Sequence, residues 1–174
     1  MHHTDAWWNI HHRAWGDYIN IKDISVVWGE NVASAVYQDV DFENSSWTCW
    51  AHWPDGSVRR RFNDHQFSNN HLLADRPRVQ QAILSARPGD EVRMRGMLVE
   101  YSNQATRFLR GTSVSREDSG RRACETVYVE NFKVRKEANP GWRTLFNICK
   151  WFAHLSGLCF LGLLAVAPVR RRAA

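Results

Sequence analysis

The sequence predicts a mainly β fold, a small curved sheet or OB-like barrel with one or two helices, followed by a C-terminal transmembrane helix. Three observations carry that reading. Several short runs alternate apolar and polar residues or are rich in β-branched and aromatic side chains, with glycine, proline or aspartate between them. A single stretch ahead of residue 140 has the three- and four-residue apolar spacing of a soluble amphipathic helix. Residues 151–169, WFAHLSGLCFLGLLAVAPV, carry no formal charge and are bracketed by Lys150 and by Arg170, Arg171 and Arg172.

Taken in order, residues 1–21 form an aromatic N-terminal segment with Trp7, Trp8, Trp15 and Tyr18, either a short amphipathic helix or a lid over the core. Residues 22–134 form the β domain. It opens with KDISVVWG at 22–29, a β-branched run closed by glycine and therefore a strand. SWTCWAHW at 46–53 alternates, with Trp47, Cys49, Ala51 and Trp53 on one side. Pro54, Asp55 and Gly56 supply a turn, and VRRRF at 58–62 returns as the partner strand. The soluble helix begins near Asp75 as cap, with Pro77 in the first turn and Val79, Ala82, Ile83 and Ala86 on one face. Pro88 and Gly89 stop it. EVRMRGMLVEY at 91–101 is a half-buried strand with a bend or bulge at Gly96. TRFLRGTSV at 106–114 is its partner, and ACETVYVENFKV at 123–134 is the last strand. Curling such a sheet removes exposed edges, which favours a closed or partly closed barrel over an open sheet with the helix on one face. The expected core includes Trp28, Trp47, Trp53, Val92, Leu98, Val127 and Val129.

Residues 135–150 have the charge, proline and glycine of a linker. Residues 151–169 are long enough to span, since a helix rises about 1.5 Å per residue and so covers about 28 Å of hydrocarbon. Trp142 and Trp151 suit the bilayer interface, and residues 170–174 are a basic tail. No signal peptide is apparent at the N-terminus. The basic residues 133–150 ahead of the span favour a cytoplasmic domain at a bacterial inner membrane, whereas Arg170 to Arg172 favour the reverse.

A formal charge of +5 suggests nucleic acid until the tail is set aside. Removing its three arginines from the 23 basic residues leaves 20 against 18 acidic ones, too small a surplus to argue for phosphate binding. Trp47, Trp50, Trp53 and the arginines at 59–61 supply stacking and phosphate-binding residue types, but nucleic acid is not the expected partner. Of four cysteines, Cys49 and Cys124 lie in the domain. They form one bridge in an oxidising compartment or two half-buried thiols otherwise.

VVWGENV at 26–32, SNNHLL at 68–73, RPGDEVRMRGMLVEY at 87–101 and RGTSVSREDSGRRACETVYVE at 110–130 resemble a family of uncharacterised bacterial proteins. That resemblance implies a curved β domain, with an upstream strand and an N-terminal membrane segment in relatives, and brings no activity. Where this chain begins at HHTDAWWN, either the start is truncated or the anchor has moved to the C-terminus. RPGDEVRMRGMLVEY is also similar to strands of oligonucleotide/oligosaccharide-binding barrels.

The densest cluster of functional groups is the loop at 113–122. Arg116 with Asp118 as acceptor suits an anionic or sugar ligand, and Ser113, Glu125 and His71 complete the candidate ligand-binding set. His71 paired with Ser113 or Cys124 is the hydrolytic alternative. Cys49 and His52 have metal-ligand spacing with His65 and His71, but strand alternation sends the first two to opposite faces. No metal or cofactor is expected. The reading is a membrane-anchored, non-catalytic module whose partners are the bilayer and a membrane protein or small ligand.

Overall fold

The computed structural model describes residues 16–45, 48–118 and 124–166. The expectations for residues 1–15, for Trp47 and for the tail beyond Val166 lie outside the described residues. The chain divides into a unit ending at Lys136 and a second beginning at Glu137.

Four strands make the central sheet: β1 (Lys22–Val27), β4 (Phe67–Leu73), β8 (Glu125–Lys136) and β5 (Glu91–Leu98), in the order β1-β4-β8-β5. β1 runs antiparallel to β4, with Lys22 opposite Leu72 and Val27 opposite Phe67. β4 and β8 are parallel, Asn70 opposite Glu125 and Leu73 opposite Tyr128. β5 returns antiparallel along β8, with a register shift at Arg95/Gly96 where the sequence placed a bulge. A Cβ at Gly96 would collide with the carbonyl oxygen of Tyr128, so glycine is required for this close approach.

The sheet is open, which corrects the barrel expectation. Among the described residues β1 and β5 are its edges, and β5 carries Arg93 and Arg95, exposed charges of the kind that discourage edge pairing. Two segments expected elsewhere account for the difference. Residues 58–62 do not return as a strand. They belong to a helix, α2 (Gly56–Arg61), whose N-terminus is capped by Asp55 accepting from the Ser57 and Val58 amides at 2.6 and 3.1 Å. β3 (Thr48–His52) pairs instead with the upstream β2 (Asp41–Ser45), Phe42 opposite Ala51. SNNHLL, which the expected strands did not include, is the inner strand β4. The last hairpin is likewise local: β7 (Phe108–Arg110) pairs with β6 (Tyr101–Asn103), not with β5.

One face of the sheet packs on α3 (Pro77–Ser85). Ile24, Leu72, Ile83, Ala86, Val127, Val129 and Phe132 form that core, with Val92 and Met94 packed at its margin. Pro77 starts the helix as expected, but Asp75 is not its cap. The Asp75 carboxylate bonds the Tyr128 hydroxyl, which holds it below its ordinary range. The second face meets the β2–β3 hairpin, α2 and the segment holding α1 (Glu30–Ala33) and the 3-10 turn Val36–Asp39. Val36, Val40, Val58 and Phe62 form its core, and Val27, Phe42, Ala51, Trp53 and Phe67 pack against them. Val127 and Val129 are buried as expected and Trp28 and Trp53 half-buried, whereas Leu98 is 48% exposed because β5 leaves the core beyond its bulge.

In the second unit, α4 (Pro140–Val166) begins ahead of the expected span, so most of the expected linker is helical. It is apolar, with a mean hydropathy of 1.6 in its best window, and none of that window is buried. Length and composition make this C-terminal helix compatible with a membrane anchor.

Candidate functional site

Alternation along β4 sends Asn69 and His71 to the second face and Ser68 and Asn70 to the first. All four are buried, so each polar group needs a partner inside the protein. On the second face, Asp23 of β1 stands opposite His71, with Oδ1 2.7 Å from Nδ1. Asn20 donates to the same oxygen at 2.7 Å. The guanidinium of Arg110, from β7, places one nitrogen 3.0 Å from His71 Nε2 and donates the other to Asp17 at 3.1 Å. The Tyr101 hydroxyl donates to the second Asp17 oxygen at 2.6 Å. Cys124 is hydrogen-bonded to His71 and accepts from Asn69 Nδ2 at 3.9 Å.

Burial opposes charge on His71, and Arg110 adds to that opposition. The bond and charge of Asp23, together with Cys124, outweigh both and raise the imidazole to about 9. Asp17 neutralises Arg110 and so weakens its opposition to charge on the ring. Burial, then the bond to Asp17, also holds the Tyr101 phenol above its ordinary range. Among the described residues, Asp23 Oδ2 and Asn20 Oδ1 are buried without a hydrogen-bond partner. Chemically this is a carboxylate that orients an imidazole whose neighbour is a thiol, the order of groups that serves nucleophilic chemistry.

The expected loop site forms a separate clasp at the end of the sheet. Arg116 ion-pairs with Glu125, which is 5% exposed, and Ser68 donates to the other Glu125 oxygen. The Arg116 guanidinium lies 4.9 Å over the Trp28 ring, and His65 Nδ1 bonds the Arg116 carbonyl at 2.6 Å. Ser113 Oγ is 2.8 Å from the Ser115 carbonyl and 2.9 Å from Asp118. The structure thus joins Arg116 to Glu125 and Ser113 to Asp118, while His71 lies on the face of the sheet opposite Glu125. It also places Cys124, not Ser113, against His71.

Sequence reasoning missed Asp17, Asp23, Tyr101 and Arg110. Asp23 had a signal, an acidic residue inside a β-branched run where aspartate is disfavoured. The others reach His71 only through tertiary contacts. A shallow depression of about 220 Å³ between residues 16–19 and 101–104 reaches this network only through Tyr101. Arg59 and Arg61 bond Asp64 and Asp39 at 2.6 and 2.8 Å, which occupies two of the arginines considered for phosphate contact. His52 is 3.5 Å from Glu43, while Cys49 lies on the other side of β3. No family model, curated protein or solved structure matches this chain.

Proposed function

We propose that this chain is a membrane-anchored, non-catalytic binding module, in which α4 crosses the bilayer and the loop at 113–118 meets an anionic or sugar ligand or a membrane-protein partner. The observation that carries it is an apolar helix of 27 residues with none of its best window buried, a surface that water disfavours and hydrocarbon accommodates. In this reading Arg116, 57% exposed at its side chain while backed by Glu125, is the contact that remains open to a ligand. The membrane is a bacterial inner membrane and the domain faces the cytoplasm, a side favoured by Lys133, Arg135, Lys136, Arg143 and Lys150. Full-length protein is expected to sediment with membranes and resist carbonate extraction. Monodisperse full-length protein in detergent-free buffer would overturn the anchor. A thermal-shift screen against nucleotides, sugars and lipid headgroups, repeated on Arg116→Ala, tests the loop.

A hydrolytic enzyme using His71 with Cys124 is the second reading, favoured by the 2.7 Å bond from His71 to Asp23 and the contact of the ring with Cys124. Thioester turnover lost equally in Cys124→Ala and His71→Gln supports it, and turnover surviving in either rejects it.

A further inference from the structure

β5 and β8 hold like charges against each other. Val92 and Met94 pack toward the core under α3, so alternation puts Arg93 and Arg95 on the other side of β5. In register, Arg93 stands directly opposite Lys133 of β8, and Arg95 opposite Asn131. Arg135, two residues beyond Lys133, falls at the register shift between Glu91 and Val92. Arg93, Arg95, Lys133 and Arg135 are all exposed. Residues opposed across an antiparallel pair have Cβ atoms only about 5 Å apart, so two cations there weaken the sheet that carries them. The nearby carboxylates are placed elsewhere: Glu130 lies 3.8 Å from Arg95, and Glu91 stands opposite Lys136. Among the described residues Arg93, Lys133 and Arg135 make no ion pair.

We propose that Arg93, Lys133 and Arg135 form a docking surface for anionic phospholipid headgroups, by which the domain itself rests on the bilayer. Such docking presupposes that α4 crosses that bilayer, and it is separate from the role proposed for Arg116. Phosphate groups lying against Arg93 and Lys133 replace their mutual repulsion with a shared attraction. Chain length brings the headgroups within reach: β8 ends at Lys136 and α4 begins at Pro140, so at most about 14 Å of extended backbone separates the two ends. A tether that short keeps the local concentration of headgroups high. Met97 continues the side of β5 that carries Arg93 and Arg95 and is 53% exposed. An apolar side chain beside cations suits the headgroup boundary of a membrane and gives a hydrated phosphate nothing to bind. Tyr128, opposite Met97, is half-buried with its hydroxyl bonded to Asp75, so this side offers nucleobases no free stacking platform there.

Full-length protein in lipid nanodiscs tests this, with the Lys133 amine as the probe. Its acetylation by a water-soluble active ester is followed by peptide mass spectrometry. In phosphatidylcholine discs containing about one-third phosphatidylglycerol, Lys133 is expected to react on the order of tenfold more slowly than in discs of phosphatidylcholine alone. Salt at about 1 M, where charges are screened beyond about 3 Å, should abolish the difference. An anionic surface also protonates amines near it, which slows acetylation without any docking. Arg93→Gln combined with Arg135→Gln separates the two effects, because the probe and the lipid stay the same. The double variant should return Lys133 most of the way to its rate in neutral discs, and each single variant part of the way. Lys133 equally fast in both lipids, or as slow in all three variants as in the wild type, overturns the proposal. Protection in neutral discs by inorganic phosphate or an oligonucleotide, to the level seen with phosphatidylglycerol, assigns the surface to a soluble anion and also overturns it. Protein that fails to enter the discs removes the span and the docking together, an outcome read separately from the lipid content of the purified particles.

Discussion

The Lys22 ammonium lies 2.6 Å from the carbonyl oxygen of Ala86 and 3.2 Å from those of Ile83 and Leu84, so a fully buried lysine closes the C-terminal end of α3. The last carbonyls of a helix have no partner within it, and the end of its dipole favours a cation there. Three donors meeting three acceptors offset the desolvation of the charge and tie β1 to the helix that covers it.

Lys22→Met is therefore expected to destabilise the domain by about 2–4 kcal/mol, because the methionine fills the space but leaves the carbonyls of α3 buried and unmet. Urea unfolding followed by tryptophan fluorescence checks it. A loss below about 0.5 kcal/mol would mean that water replaces the ammonium at no cost.

His71 gives the domain a pH-dependent stability. Its imidazole is raised from 6.5 to about 9 on folding. A group raised in the folded state contributes fully below its unfolded value and loses that contribution as pH rises through its folded one. Stability should thus be flat below about pH 6.5 and decline by up to about 3 kcal/mol as the pH passes 9. His71→Gln should remove this slope. Unfolding curves at a series of pH values, run on both proteins, separate the His71 contribution from that of other groups.

Gly96 is expected to tolerate no side chain. In Gly96→Ala the methyl must displace the Tyr128 carbonyl or slip the bulge, and we expect a cost of about 2–4 kcal/mol. Gly111→Ala, where the nearest atom to a new Cβ is the Glu100 carboxylate at 3.3 Å, should cost much less. Comparable melting points for the two variants would show that β5 shifts freely along β8.

Sidedness is testable at Gln81, an exposed position on α3. With a cytoplasmic domain, Gln81→Cys reacts with an impermeant maleimide in inverted membrane vesicles and not in intact spheroplasts. Labelling in spheroplasts would place the domain outside.

The parts of the fold that were legible are those where apolar periodicity and geometry agree. β1, β5 and β8 carry their own alternation or β-branched runs, α3 shows one apolar face, and Gly96 marks its bulge. The alternation that put Cys49, Ala51 and Trp53 on one side of β3 also matches their half-buried state against exposed Trp50 and His52. Asp55 and Gly56 misled because the residues that make a turn also cap a helix, and only the burial of Val58 and Phe62 decides between them. β4 was illegible because Ser68, Asn69 and Asn70 are poor strand formers in isolation. Hydrogen bonds to Glu125, Cys124 and Ile24 from distant parts of the chain stabilise them there. The same reason hid the site: the loop at 113–118 is dense in sequence, whereas the surroundings of His71 come from residues 17–23, 101–110 and 124.

The parallel pairing of β4 with β8 also constrains how the chain folds. β4 can find β1 early, but its other edge stays open until α3, β5, β6 and β7 have intervened and Glu125–Lys136 arrives. During that interval Asn70 and His71, buried in the final fold, have no closed sheet around them. Closing so long a loop costs entropy before any contact rewards it, so docking of β8 is the expected slow step of refolding. Aggregation should be fastest in chains that have made β4 and not yet received its parallel neighbour.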